Sequence, residues 1–263
     1  MDVLDIIKEA INFPLTDYKG WGMVAVITLI IGIFQQLSIL YPDYSTILGI
    51  LTFLVAILLM GVNLSILRVT INNENQIPII EPVKNFIDGL KNLIVNAVYY
   101  IIPAILVFII SIIAGVYTNT EKFILALNSS NVANATAASM LSNVPADVTN
   151  ALFVSVAIVS IIAFVLFVFF ALLNIMAEAR LAQTGNIFEA IDIRYVIQKI
   201  SSIGWANYIL FIILLLITIF VLGLISGIIS LIPYVGAIIS SVVVDSYMMI
   251  VISRAIGLVY NEG

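Results

Sequence analysis

Six long apolar runs alternate with more polar segments along the chain. Each run has at least the roughly 18 residues that an α-helix needs to cross most of a hydrocarbon core of about 30 Å. We therefore predict an all-α fold, a polytopic transmembrane helical bundle that forms one integral membrane domain over residues 1–263. The six predicted spans cover residues 23–40, 47–67, 93–116, 151–177, 208–229 and 235–256.

Three of the polar segments show the periodicity of amphipathic surface helices. Apolar residues recur at i, i+3, i+4 and i+7 within residues 3–13, 82–92 and 193–203, and charged side chains lie on the opposite face. The first segment carries net negative charge, so apolar burial rather than anionic lipid must hold it in place. Pro14 is predicted to end this first helix.

The segment from residue 117 to residue 150 is the longest connection between two predicted spans. It is rich in Ala, Asn, Ser and Thr, and Lys122 is its only basic residue. Two Asn-X-Ser/Thr triplets begin at Asn128 and Asn134. Each triplet is either a glycosylation acceptor or a chance product of an asparagine-rich segment.

Basic residues are distributed unevenly between the two ends of the predicted spans. Lys122 lies alone at one end, and nine basic residues lie at the other: Lys8, Lys19, Arg68, Lys84, Lys91, Arg180, Arg194, Lys199 and Arg254. By the positive-inside rule, we predict a multi-pass protein of the cell membrane with both termini in the cytoplasm. The connection over residues 117–150 is then extracytoplasmic.

A weak internal repeat accompanies this distribution. An amphipathic segment, an outgoing span, a returning span and a basic residue occur in this order three times. The three units end at Arg68, Arg180 and Arg254. Three helical hairpins with amphipathic cytoplasmic helices would account for the pattern.

The composition limits the chemistry that the chain can perform. Hydrophobic residues make up 63% of it and charged residues 10%, against about 45–50% and about 25% in soluble domains. Cysteine and histidine are absent, which excludes disulfides, Cys or His catalysis and the usual zinc and haem ligands. The formal charge of −5 argues against nucleic acid as a partner. We expect no enzymatic activity and no cofactor.

Asp245 is the one acidic residue near the middle of a predicted span. An isolated charge at that depth costs roughly 2.5–3.5 kcal/mol on insertion scales, so such a residue is a functional candidate. One interpretation is a proton-coupled or cation-coupled site. The alternative is a neutral acid at a helix interface, hydrogen-bonded to Ser241, Ser246 or Tyr247. Intramembrane aspartyl proteolysis is excluded because it needs a second carboxylate.

Four charged residues lie at the ends of predicted spans. Glu178 and Arg180 could gate a pathway, but such side chains more often anchor a helix at the membrane interface. Arg68 and Arg254 have the same interpretation. The asparagines within the spans, including Asn96 and Asn174, are expected to form hydrogen bonds between helices.

Small residues on the last two spans predict close helix packing. Gly223 and Gly227 form a GxxxG motif on the fifth span, and Gly236 and Ser240 form a similar pair on the sixth. Small side chains let two helices approach closely within a bilayer. We expect these residues to pack the fifth and sixth spans together, and dimerisation of the chain is the alternative.

Three stretches together resemble a known family. They are Phe86-Ile-Asp-Gly-Leu-Lys91 with Tyr99 and Pro103, then Ala179-Arg-Leu-Ala-Gln-Thr-Gly-Asn-Ile-Phe-Glu-Ala-Ile-Asp192, then Leu231-Ile-Pro-Tyr-Val-Gly236 with Arg254-Ala-Ile-Gly-Leu-Val-Tyr260. The chain resembles the prokaryotic integral-membrane family catalogued as domain of unknown function four thousand and thirteen. This resemblance implies a multi-span membrane protein of archaeal or bacterial origin and supplies no activity.

Two functional hypotheses follow. The first is a non-enzymatic membrane protein that organises lipid or partner proteins, because three surface helices flank an almost featureless membrane interior. The second is a small-solute or ion-coupled transporter or exporter that uses Asp245. The lipid bilayer is the expected environment in both, and other membrane proteins or a second copy of the chain are the candidate partners.

Overall fold

The computed structural model describes residues 2–129, 144–233 and 235–263, and every regular element within them is helical. A 3₁₀ turn covers Pro42–Tyr44, and a π-helical segment covers Ser241–Asp245. The α-helices are α1 (Val3–Thr16), α2 (Tyr18–Leu40), α3 (Ser45–Ile71), α4 (Pro82–Ile113), α5 (Val116–Ser129), α6 (Ala146–Thr184), α7 (Ile187–Ala190), α8 (Ile193–Ile203), α9 (Trp205–Ser230), α10 (Gly236–Ser240) and α11 (Ser246–Asn261).

Six helical segments of the described chain are long and apolar enough to cross a membrane. They begin at Tyr18, Pro42, Pro82, Ala146, Trp205 and Gly236, and each contains most of one predicted span. The prediction of an all-α protein with six candidate spans is therefore confirmed. The last segment combines α10, the π-helical residues and α11 into one continuous helix.

Two predicted boundaries are wrong. Residues 82–92 do not form a separate surface helix, because α4 continues from Pro82 into the third span without a break. Pro14 lies inside α1, which reaches Thr16, since a proline in the last turn removes only one backbone hydrogen bond.

The predicted connection over residues 117–150 also differs from the structure. It contains α5 at its beginning and the start of α6 at its end. Residues such as Leu125 and Ala126 have high helix propensity, which outweighs the lower propensity of the asparagine, serine and threonine residues around them. The triplet at Asn134 lies outside the described residues, and so does Ser130 of the triplet at Asn128.

Contacts between residues divide the chain into two compact units. The first comprises Met1–Asn96 and Leu173–Gly263, and the second comprises Ala97–Leu172. In the second unit, α5 is joined to α6 by the side chain of Asn119, which donates to the main-chain oxygen of Ala151 at 3.2 Å.

The core of the first unit surrounds α11. The helices α1, α2 and α3 all pack against α11. These four helices and the α3–α4 connection supply the side chains of the core. The apolar face of α1 is buried on the protein itself. The buried cluster at this junction consists of Phe13, Val24, Ile27, Val62, Ile66, Ile77 and Ile250.

Two glycines allow α3 and α4 to cross at very short range. A side chain at Gly61 would overlap the backbone of Asn85, and a side chain at Gly89 would overlap the backbone of Ile57. The buried Asn85 side chain strengthens this crossing by donating to the main-chain oxygen of Gly61 at 3.2 Å and to Ser65 Oγ at 2.7 Å. The crossing fixes the position of the first turns of α4 on α3.

Candidate functional site

Arg68, near the end of α3, lies in a cluster of charged groups with α4 and α6. Its Nη2 is 3.1 Å from Asp88 Oδ2, and its Nε donates to the main-chain oxygen of Ala182 at 2.9 Å. Lys91 Nζ lies 3.4 Å from the other oxygen of Asp88 and donates to the main-chain oxygen of Gly185 at 3.2 Å. The Asp88 side chain is only 8% exposed, so its charge needs these two cations. We call Arg68, Asp88 and Lys91 the Arg68 cluster.

Arg254, on α11, is 4% exposed and is surrounded by acceptors. Its Nη2 lies 2.6 Å from Glu9 Oε1 and 2.7 Å from Asn75 Oδ1. Its Nη1 donates to the main-chain oxygen of Glu74 at 2.7 Å, and the guanidinium carbon is 4.3 Å from the centre of the Phe13 ring. Arg254 therefore fastens α1 and the α3–α4 connection to the central helix.

Arg180, on α6, forms a third cluster with α7, α8 and α11. Its Nη2 is 2.6 Å from Glu189 Oε2, its Nη1 donates to Gln183 Oε1 at 2.9 Å, and its guanidinium lies 4.0 Å above the Tyr195 ring. The Tyr260 hydroxyl donates to the same Gln183 oxygen at 2.8 Å and lies 3.3 Å from the Tyr195 hydroxyl. These contacts hold α8 against the end of α11.

Lys199 extends this cluster along α8. Its ammonium group donates to the main-chain oxygen of Gly263 at 2.6 Å and lies 4.3 Å from the centre of the Tyr260 ring. Burial lowers the pKa of Lys199; the nearby Tyr195 opposes this shift, and Arg180 adds to it.

The three arginine clusters meet at one end of the first unit, which we call the basic end. The Arg68 cluster bonds to main-chain oxygens in the last turn of α6 and just after it, close to Arg180 in the sequence. Asn261 links α11 to the main chain of α3 two residues after Arg68. Each arginine thus has an acidic partner and a second acceptor within the protein. Their contact with the membrane interface stays a prediction.

A buried polar cluster lies where α4 meets α6. Asn92 and Asn96 are one turn apart on α4, and Asn174 and Glu178 are one turn apart on α6. Asn174 Nδ2 donates to Asn96 Oδ1, and the side chains of Asn92 and Asn96 hydrogen-bond to the Glu178 carboxyl group. The Oδ1 atoms of Asn92 and Asn174 have no partner among the described residues.

Sequence reasoning only partly anticipated this cluster. The hydrogen bond between Asn96 and Asn174 agrees with the expected pairing of asparagines between helices. The sequence favours Glu178 as an anchor at the membrane interface over a gate, whereas the structure places its carboxyl group among asparagine side chains. The i, i+4 spacing of polar residues on two apolar helices is the signal that could have revealed the cluster.

Asp245 ends the π-helical segment and faces α9. Its Oδ1 accepts a hydrogen bond of 3.2 Å from Ser226, whose hydroxyl lies 2.5 Å from that of Ser240. The side chain is partly exposed. Local π-helical turns are frequent at functional sites, so this geometry keeps Asp245 a candidate.

The partners expected for Asp245 were wrong. The hydroxyls of Ser241, Ser246 and Tyr247 all donate to main-chain oxygens instead. The extra residue of a π-helical turn changes which side chains share a face of the helix. Asp245 therefore points to Ser226 on the neighbouring helix rather than along its own.

The GxxxG motif is not used between the fifth and sixth spans. Gly223 and Gly227 are exposed, and a side chain added at either would meet no atom within 4 Å. Gly236 does allow a close approach, because a side chain there would overlap the end of α9. Ser240 contacts α9 through its hydrogen bond with Ser226. The predicted packing thus holds for Gly236 and Ser240 only.

Two clefts open at the basic end. One, of about 730 Å³, lies between α1 and the α3–α4 connection and includes Glu9, Lys19 and Arg254. The other, of about 950 Å³, lies beside the Arg68 cluster. Within residues 2–129, 144–233 and 235–263, no group of three or more acidic side chains is placed to hold a metal ion.

A comparison with known families identifies the chain. The family described as "Protein of unknown function (DUF4013)" matches residues 44–231, well over half of the sequence. The chain belongs to the DUF4013 family. The matched region contains the Arg68 cluster and the buried polar cluster around Glu178, and Arg254 and Asp245 lie beyond it. No curated protein and no solved structure matches the chain.

Proposed function

We propose that this DUF4013 protein is a non-enzymatic membrane protein that binds lipid or partner proteins at its basic end. The observation that carries this proposal is the pair of clefts beside rigidly held charged groups. Arginine clusters fix α1, α3, α4, α6, α8 and α11 relative to one another, so the cleft walls are preorganised. Preorganised, charged and open surfaces favour binding.

The chemistry of these groups supports a role without catalysis. The arginines of the basic end are paired with carboxylates, and the chain has neither cysteine nor histidine. A catalytic nucleophile is usually activated by an adjacent general base, and the carboxylates of these ion pairs bind arginine instead.

The basic end is proposed to face the cytoplasm. Arg68, Arg180, Arg254 and Lys91 lie there, whereas Lys122 belongs to the second unit. The positive-inside rule counts such residues near span ends, and it supports cytoplasmic termini.

Cysteine labelling tests this orientation directly, because the chain has no native cysteine. Phe188→Cys places a thiol at an exposed position of the basic end, and Tyr117→Cys places one at an exposed position of the second unit. In intact cells, a membrane-impermeant maleimide should label the Tyr117 variant, and the Phe188 variant should react only after permeabilisation. The reverse pattern would contradict the orientation.

Photocrosslinking tests the binding role. Benzoylphenylalanine at Phe188, an exposed residue of the basic end, should give a few discrete lipid or protein adducts in native membranes. The matched control is Phe164, which is also an exposed phenylalanine but belongs to the second unit. It should capture bulk lipid in proportion to membrane composition. Identical adduct profiles at both positions would argue against a binding surface at the basic end.

A transporter that uses Asp245 is the second candidate function. It is supported by the π-helical segment and by the hydroxyl groups of Ser226 and Ser240 near the carboxylate. Together these side chains form a short hydrogen-bonded chain between α9 and the last span.

Flux measurements distinguish the two functions. In liposomes loaded with a pH-sensitive dye, we expect the wild-type protein and Asp245→Asn to leak protons and cations at the same rate as protein-free vesicles. Flux by the wild type that Asp245→Asn abolishes would favour the transporter instead.

A further inference from the structure

The cleft beside the Arg68 cluster carries an excess of positive charge. Arg68, Lys84 and Lys91 line it together with Glu81 and Asp88. Lys84 is paired with Glu81 at 3.0 Å, whereas Arg68 and Lys91 share the single carboxylate of Asp88. One of these two cations is therefore left without a full counter-charge.

The cations, rather than the carboxylate between them, are accessible from the cleft. The Asp88 side chain is 8% exposed, while Arg68 and Lys91 are 28% and 33% exposed. An anion that enters the cleft would meet the guanidinium and ammonium groups before it meets Asp88. Arginine and lysine are the usual partners of phosphate oxygens.

An apolar groove adjoins this charged cleft. The groove has a volume of about 410 Å³, and Pro82, Val83 and Ile87 line both cavities. Phe86 lies on the same helix as these three residues. The other wall consists of Leu54, Val55 and Leu58 from the second candidate span.

Much of this apolar surface is open. Leu54, Val83 and Ile87 are all exposed in the structure. The groove follows a membrane-spanning helix and ends at a basic cleft, so the site complements a ligand that has an anionic head and an apolar tail. A soluble anion would leave the groove empty, and a purely apolar ligand would leave the cations without a partner.

We propose that the cleft and the groove form one binding site for an anionic phospholipid. The headgroup phosphate lies among Arg68, Lys84 and Lys91, and an acyl chain lies against Leu58, Val83 and Phe86. Basic pockets between membrane helices bind anionic headgroups by this combination of charge and apolar contact. The site names a ligand for the basic end and so rests on the proposed function.

The test measures thermal unfolding of the purified full chain in non-ionic detergent with added lipid. Phosphatidylglycerol should raise the unfolding midpoint in a saturable way, and phosphatidylcholine with the same acyl chains should not, because bound ligand stabilises the folded state. Glycerophosphoglycerol and inorganic phosphate, which lack acyl chains, should have no comparable effect.

Two lysines make a matched pair for the headgroup. Lys84→Gln should raise the phosphatidylglycerol concentration at half-maximal shift about fivefold, the loss expected for one basic residue at an anionic lipid. Lys8→Gln is the control, since Lys8 is also an exposed lysine with an acidic partner three residues away but lies on α1. It should leave the concentration unchanged.

Two valines make a matched pair for the acyl chain. Val83→Trp fills the groove from an exposed position and should abolish the lipid-dependent shift. Val26→Trp adds the same side chain at an exposed position on α2 and should preserve the shift. The unfolding midpoint measured without lipid shows whether each variant is folded. If Val83→Trp does not fold, the comparison of Lys84→Gln with Lys8→Gln tests the lipid site.

Several outcomes would overturn the lipid site. Equal shifts with phosphatidylcholine would show no headgroup selection, and equal shifts with inorganic phosphate would show an anion site without lipid. Equal losses in Lys84→Gln and Lys8→Gln would indicate general surface charge. If any of these three results is found while the adducts at Phe188 stay discrete, the lipid site is wrong and the proposed function stands. If the adducts at Phe188 also match those at Phe164, the lipid site and the proposed function are both wrong.

Discussion

The close crossing of α3 and α4 is the contact on which the basic end depends. Gly61 and Gly89 lack the side chains that would hold the two helices apart, so backbone meets backbone at both positions. Asn85 locks this approach with hydrogen bonds to α3. Because α4 is held this close, Asp88 reaches Arg68, and the charged cleft and the apolar groove both form along the same crossing.

At the basic end, the buried charges fix the orientation of the helices more than they add to the free energy of unfolding. An ion pair removed from water gains little net free energy, because desolvation offsets most of the attraction between the charges. Its geometry is nevertheless strict, because separating the two partners would leave a buried charge unpaired, which is costly. Arg254 illustrates this role: it binds Glu9 on α1 and main-chain oxygen in the α3–α4 connection, and so orients two segments around α11.

Local properties of the sequence predicted the six spans and the all-α fold, because hydropathy and helix length depend only on neighbouring residues. Features that depend on distant residues were predicted only in part: the Asn96–Asn174 bond and the contact of Gly236 with α9 were expected, and other contacts were not. The partner of Asp245 is Ser226 on another helix, and Glu178 meets asparagines of α4. Gly223 is exposed because it lies on a face of α9 that no other helix of the described chain packs against, and the GxxxG motif alone does not specify which face is packed.

The most direct measurement compares two glycine substitutions on α3. Gly61→Ala places a methyl group against the backbone of α4 and should lower the free energy of unfolding in detergent by about 1–3 kcal/mol. Gly49→Ala, on the same helix with nothing within 4 Å, should be neutral or stabilising by up to about 1 kcal/mol. Equal free energies of unfolding for the two variants would contradict the close crossing of α3 and α4.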